Sequence, residues 1–248
     1  MGTLEKSLLD RLNGWPLPET ETSWGKRRQD IRNHMEKESW ADFLHWPVVR
    51  ASLFTGQIPN TDAELEILRG TGIYRTLEEL GALPWNGTAI HQAHLLWWYG
   101  EYIPPDWKIA EFGGGYGEMY RFLHAHGHTG PYYVYDFPEL LILQEYYLVT
   151  AGVPLSDWHP CYTAKQWERA LGADLFVSLC ALSEAPLSVR WMVDDISPKS
   201  LAVRFQPAWD GIDNKKWFFD YAEEHNMEAD STLAPAYTNH ILMSMERK

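Results

Sequence analysis

Sulfur is scarce in this chain, and so is uninterrupted hydrophobicity. Only two cysteines, Cys161 and Cys180, occur in 248 residues. They make no disulfide framework, and their scarcity favours a reduced, cytoplasmic setting. No apolar run approaches the roughly eighteen residues that would read as a membrane span. The charged, amphipathic segment Met1 to Asn13 lacks the continuous apolar core of a signal peptide. Basic residues are also few: 21 Lys and Arg against 34 Asp and Glu, a net charge of −13. Phosphate backbones repel such a chain, which argues against DNA, RNA and anionic membranes as partners. What is plentiful is apolar and aromatic. An apolar content of 45% with 14% aromatics describes a packed globular protein. Most of the thirteen tryptophans read as core or interface.

The pattern changes once along the chain. Residues 1–104 show helical periodicity and few strand signals. Leu4, Leu8, Leu9 and Leu12 form one apolar stripe, and Ser23 to Glu38 and Ser39 to His45 read as further helices. Thr61 opens a helix through Leu68, with Glu64 spaced as in a capping box. Asn86 opens a long aromatic helix, Thr88 to Tyr102, which Pro104-Pro105 ends. Beyond Pro105, strands alternate with helices: Trp107–Phe112, Tyr132–Asp136, Trp158–Tyr162, Asp174–Ala181 and Leu201–Gln206 are strand-like, with helices expected over 116–126, 138–151, 164–171, 185–196 and 213–225. Two strands follow, near Met227–Ser231 and Tyr237–Met245. The series predicts an α/β fold with a mostly parallel, Rossmann-like seven-stranded sheet containing one reversed strand. It divides the chain into a helical cap or lid region, 1–104, and a cofactor-binding core, 105–248.

Glu111-Phe112-Gly113-Gly114-Gly115-Tyr116-Gly117 sits where the first strand turns into a helix. Glycines there let the backbone approach a ligand and adopt positive φ. The dinucleotide fingerprint would need glycine at 118, which is Glu118, and that acid would repel a pyrophosphate at the helix N-terminus. S-adenosylmethionine carries no phosphate and has a cationic methionine part, so acids near the loop are tolerable. One helix further on, Asp136 closes the second strand, where it can accept bonds from ribose hydroxyls, and Phe137 can pack on adenine. Asp136 also suits a capping role before Pro138. The residues assigned to the cofactor are thus Glu111, Gly113, Gly114, Gly115, Gly117, Asp136 and Phe137.

The blocks IAEFGGGYGEMYRFL, YYVYDFPELLILQEYYLVTAGV and DLFVSLCALSEAP, with the upstream helix NGTAIHQAHLLWWY, are similar to a family of sugar O-methyltransferases among the class I S-adenosylmethionine-dependent enzymes. The likeness covers about residues 86–206. It implies transfer of a methyl group to a small polar hydroxyl acceptor, a sugar or nucleotide-sugar, with S-adenosylhomocysteine as the second product.

A hydroxyl acceptor must lose a proton, and a histidine or a perturbed carboxylate is suited to take it. His91 and His94 lie three apart on the helix before the first strand, hence on one face. Glu184 follows the fourth strand at its tip, next to Ser183, where it also suits a helix first turn. These three are the catalytic candidates. His124, His126 and His128 alternate near a helix end and read as surface residues; Asp194-Asp195 fall mid-helix and diverge. No metal is expected. Gln206, His240, His159 and Tyr162 stand near strand ends and read as structural. The aromatic content of residues 1–104 is compatible with a homodimer. A catalytically inactive methyltransferase-like binding module is the alternative reading.

Overall fold

The computed structural model describes residues 2–16, 23–53, 61–83, 86–100, 102–235 and 239–248. The first hundred residues supply six helices among those described: α1 (Thr3–Leu12), α2 (Ser23–Lys37), α3 (Pro47–Leu53), α4 (Thr61–Leu68), α5 (Gly72–Glu79) and α6 (Gly87–Tyr99). The leucine stripe of α1 is real: Leu8, Leu9 and Leu12 are buried. Asn86 caps α6, accepting the Ala89 N–H at 3.1 Å. The helix stops at Tyr99 rather than Tyr102, because the chain turns extended at Gly100.

The core follows as β1 (Ile109–Phe112), α7 (Glu118–Ala125), β2 (Tyr132–Tyr135), α8 (Pro138–Thr150), β3 (Trp158–Cys161), α9 (Ala164–Trp167), β4 (Leu175–Leu179), α10 (Ala181–Glu184), α11 (Leu187–Arg190), α12 (Met192–Ile196), β5 (Ser200–Phe205), β6 (Ala208–Trp209), β7 (Ile212–Asp213), α13 (Asn214–Glu224), β8 (Met227–Leu233) and β9 (Ile241–Arg247). Seven strands form one sheet in the order β3-β2-β1-β4-β5-β9-β8. The first five run parallel, and β9 is antiparallel to both β5 and β8. This is the seven-stranded, Rossmann-like sheet with one reversed strand that the alternation predicts.

Three local expectations are corrected. The single helix expected over 185–196 is two short pieces, α11 and α12, and the separate α10 ends at Glu184 before Pro186, which has no N–H to continue it. Ser183 is therefore not a helix cap: its hydroxyl donates to Cys180 O, 2.6 Å away. The small hairpin β6–β7 was not anticipated; Asp210 and Gly211 turn it with φ of 48° and 78°, the paired left-handed values of a tight hairpin turn. The last strand begins at Ile241, and part of the expected Tyr237–Met245 strand lies outside the described residues.

The chain leaves β1 toward β2 and β3 on one side, then returns to β4 and β5 on the other. The loops after β1 and β4 diverge at that switch point, at the C-terminal tips of the strands. The N-terminal helices share the core with the sheet. Ala89, Ala93, Leu95 and Leu96 of α6 pack in one cluster with Ile109, Val134, Val177 and Ala202. Residues of α1, α2 and α3 pack with Leu140, Leu143 and Tyr146 of α8.

Candidate active site at the strand tips

The bend after β1 is built on backbone. Gly113 N–H donates to Tyr135 O at 2.8 Å, which ties the loop to β2. Gly113 has φ of 82°, and a Cβ there would lie 2.0 Å from that of Ala181. Glycine is thus required both by conformation and by the close approach of α10. A Cβ on Gly114 would strike Val134 and the Glu111 carboxylate at 2.6 and 2.7 Å. Gly117 ends the bend in the left-handed region and starts α7.

Asp136 faces this bend from the tip of β2. Its Oδ2 accepts the Gly115 N–H at 2.9 Å and its Oδ1 the Phe137 N–H at 2.7 Å. The Gln144 amide reaches Oδ2 at 3.5 Å. Burial pushes the Asp136 carboxyl up to about 7, against the pull of the two backbone donors. Glu111 lies beneath the bend, 1% exposed. Tyr132 OH donates to its Oε2 at 2.7 Å, while Oε1 has no hydrogen-bond partner among the described residues. Burial pushes Glu111 up to about 8; the Tyr132 bond opposes that shift and the Asp136 charge adds to it. Glu118, the acid that spoils the dinucleotide pattern, is buried in the first turn of α7 and bonds Tyr147 and Arg121.

Helix α2 packs on Phe137, the residue after Asp136. Its Arg28 sits over the Phe137 ring, 4.5 Å from the centroid, and donates to Glu139 at 2.8 Å. Arg32 joins the same buried carboxylate. Trp24 packs against Phe137 with centroids 5.8 Å apart, and its indole N–H donates to Glu184 Oε2 at 3.2 Å. The other oxygen of Glu184 accepts the Gln206 amide at 3.2 Å. Glu184 thus stands between the tips of β4 and β5 with both oxygens engaged. Cys180, at the end of β4, takes φ of 68°, unusual without glycine, while its N–H donates to Arg204 O at 2.7 Å.

The two histidines of α6 are buried, His91 at 4% exposure and His94 at 2%. Both face Glu64 of α4. Glu64 Oε2 meets His91 Nδ1, and Oε1 accepts Arg204 Nη1–H at 2.9 Å and lies 3.8 Å from His94 Nδ1. His240, before β9, stands 3.3 Å from Arg204 Nε and 3.9 Å from the Cys180 sulfur. Burial drives His94 and His240 down to about 4, with Arg204 adding to the shift in both. Glu64, Arg204 and Trp24 were not among the sequence candidates. A signal existed for Arg204: an arginine inside the apolar run Leu201–Phe205 must find a buried acid.

The remaining candidates lie apart. His159 packs on Tyr133 at 4.8 Å, and Tyr162 stacks on Trp15 at 5.3 Å. Asp194 pairs with His225 at 2.9 Å. Among the alternating histidines, His128 is buried rather than at the surface, and His126 Nδ1 lies 2.8 Å from the Thr76 hydroxyl. No group of three or more His, Cys, Asp or Glu among the described residues is arranged to hold a metal ion. No helix among them is long and apolar enough to cross a membrane.

A mixed seven-stranded sheet with a glycine bend after β1 and an acid after β2 is the fold of class I methyltransferases, and comparison with solved structures agrees. The chain is similar to magnesium protoporphyrin IX methyltransferase (ChlM) from Synechocystis PCC 6803, solved with bound S-adenosylmethionine, at 11% identity and a TM-score of 0.51, over 90% of this chain and 97% of that one. It is also similar to precorrin-6y C5,15-methyltransferase from Geobacter metallireducens GS-15, at 10% identity and a TM-score of 0.50, over 63% of this chain and 87% of that one. No protein-family model matches the sequence, and no curated protein matches it.

Proposed function

We propose that this chain is a methyltransferase that uses S-adenosylmethionine and methylates a hydroxyl of a small polar acceptor, with a sugar as the leading class. One observation carries the reading: the bare-backbone bend after β1 and the carboxylate after β2 meet at the switch point, joined by the Gly115–Asp136 bond. A carboxylate has about four lone-pair sites, so the two short backbone bonds leave Asp136 capacity for ribose hydroxyls. The buried Glu111 Oε1, without a hydrogen-bond partner among the described residues, is a second acceptor beneath the bend, suited to the cofactor's ammonium. Gly113, Gly114, Gly115 and Gly117 provide the close backbone approach, and Phe137 offers an apolar ring beside it.

When bound, S-adenosylmethionine supplies an electrophilic methyl group on a sulfonium. The chain's own residues must align the acceptor and take its proton, and alignment supplies much of the acceleration. His91 is favoured over Glu184 as the proton acceptor, because both Glu184 oxygens are already bonded to Trp24 and Gln206. Glu184, with Gln206, then serves to hold the acceptor's polar groups, and His94 stands beside the same Glu64 carboxylate as His91. Helices α1–α3 serve as the lid. The net charge of −13 disfavours nucleic-acid acceptors and supports a small molecule.

Calorimetry with S-adenosylmethionine and S-adenosylhomocysteine tests the reading. Both should bind, and Asp136→Ala should weaken binding by about 1–3 kcal/mol through loss of charge-assisted bonds. Unchanged affinity would remove Asp136 from the site, and binding of neither ligand would overturn the assignment.

A further inference from the structure

We propose that Glu64 is a positioning residue that holds His91 in the Nδ1–H tautomer and so makes Nε2 its basic nitrogen, with Arg204 donating to the other oxygen of the same carboxylate. The inference deepens the functional reading and rests on it only for the use to which Nε2 is put.

One carboxylate is shared between two partners. Glu64 Oε2 is bonded to His91 Nδ1 and Glu64 Oε1 to Arg204 Nη1. An ionised carboxylate can only accept hydrogen bonds, and a guanidinium can only donate. The proton between Glu64 and His91 therefore belongs to Nδ1, provided the glutamate is charged. Its charge is secured by the surroundings. Burial raises the Glu64 carboxyl most, but the hydrogen bond and charge of His91, and after them the charges of Arg204 and His94, outweigh it and hold the group below its ordinary range. His91 is kept neutral: burial lowers it most and Arg204 lowers it further, against the opposing pull of Glu64.

The other described groups that face this set agree. His94, one turn along α6, is down to about 4 and neutral, so it does not compete as a cation for Glu64. His240 is also down to about 4, and its Nδ1 is the acceptor for Arg204 Nε–H. Cys180, whose thiol burial pushes up to about 12, adds no charge. The set thus holds one anion, one cation and neutral imidazoles, which fixes a single direction for the Glu64–His91 bond.

Position ties this pair to the cofactor bend. Thr88, one turn before His91 on α6, donates its hydroxyl to Leu53 O at 2.6 Å. Leu53 in turn lies 3.6 Å from where a Cβ on Gly115 would stand. Arg204 is on the strand whose carbonyl receives the Cys180 N–H at the tip of β4. The pair therefore sits near the glycine bend and the tip of β4, not at the far end of the sheet.

Nuclear magnetic resonance of the full chain with ¹⁵N-labelled imidazoles tests this, with His91→Gln used to assign the signal. At pH 7 the His91 nitrogens should report a neutral Nδ1–H tautomer, with that proton shifted strongly downfield. In Glu64→Gln the downfield shift and the tautomer preference should be lost; in Glu64→Asp, which keeps the charge, the preference should survive at least in part. A neutral Nε2–H tautomer or an imidazolium in the wild type would overturn the proposal, whatever the variants do. So would a signature that Glu64→Gln leaves intact. Calorimetry on the same wild-type sample with S-adenosylhomocysteine separates the two readings: absent binding beside an intact Nδ1–H signature sinks the methyltransferase assignment and leaves the role of Glu64 standing.

Discussion

The cofactor bend and the Glu64 cluster are neighbours at the strand tips, yet they are assembled in opposite ways. The bend is one contiguous stretch, Glu111 to Gly117, plus an acid one crossover later. Its main bonds are made by backbone N–H groups, which every residue but proline carries. The cluster draws side chains from α4, α6, β5 and the segment before β9, and its central ion pair joins residues 140 positions apart. A site made of backbone needs little more than glycine at the close approaches. A site made of buried ionised side chains needs every partner present, since each charge alone is costly to desolvate.

That contrast can be broken. The largest effect is expected from Glu64→Ala, which leaves the Arg204 guanidinium buried without its carboxylate and should cost about 3–5 kcal/mol of stability by denaturant unfolding. Adding Arg204→Met should recover much of that loss, because an apolar pair carries no desolvation penalty. If the single variant unfolds no more readily than the wild type, the cluster is not the interdependent unit described here.

A pH titration of stability sharpens the same point. His94 titrates near 4 in the folded chain and near 6.5 as a free side chain. Its contribution is full above about 6.5 and is lost as the pH falls toward 4, by about 3 kcal/mol at most. Asp136 and Glu111, raised by burial to about 7 and about 8, act in the opposite sense: their contribution is present at low pH and is lost as the pH rises through those values. Comparing wild type with His94→Gln isolates the histidine, and the variant should show a flatter decline between pH 6.5 and 4. An unchanged slope would mean that His94 gains its proton without cost in the fold. The smallest effect belongs to α2. Trp24→Phe removes one N–H bond to Glu184 and keeps an aromatic ring beside Phe137, so a loss of about 0.5–1.5 kcal/mol is expected by the same unfolding measurement.

The difference in construction explains which parts were legible. The alternation after Pro105, the reversed last strand, the Gly113 bend and the tip position of Asp136 all follow from periodicity and glycine placement. These are local rules, whereas the strand order β3-β2-β1-β4-β5-β9-β8 is read from the structure. Glu64 reads only as a capping residue in the sequence, because its spacing from Thr61 matches that local pattern. Only the arrival of His91 and Arg204 reveals its other use. His128 was misread for a related reason: a histidine near a helix end is usually exposed, and only packing buries it. The helix after Glu184 was drawn too long, although Pro186 stood in view.

From sequence alone came the strand–helix alternation, the reversed strand and the residues of the bend, because backbone conformation answers to neighbours a few positions away. Tertiary structure alone decided that α2 lies across Phe137 and reaches Glu184, and that one carboxylate from α4 serves both His91 and Arg204. Charges cannot be buried singly, and which distant partner neutralises each one is settled only when the layers close on one another.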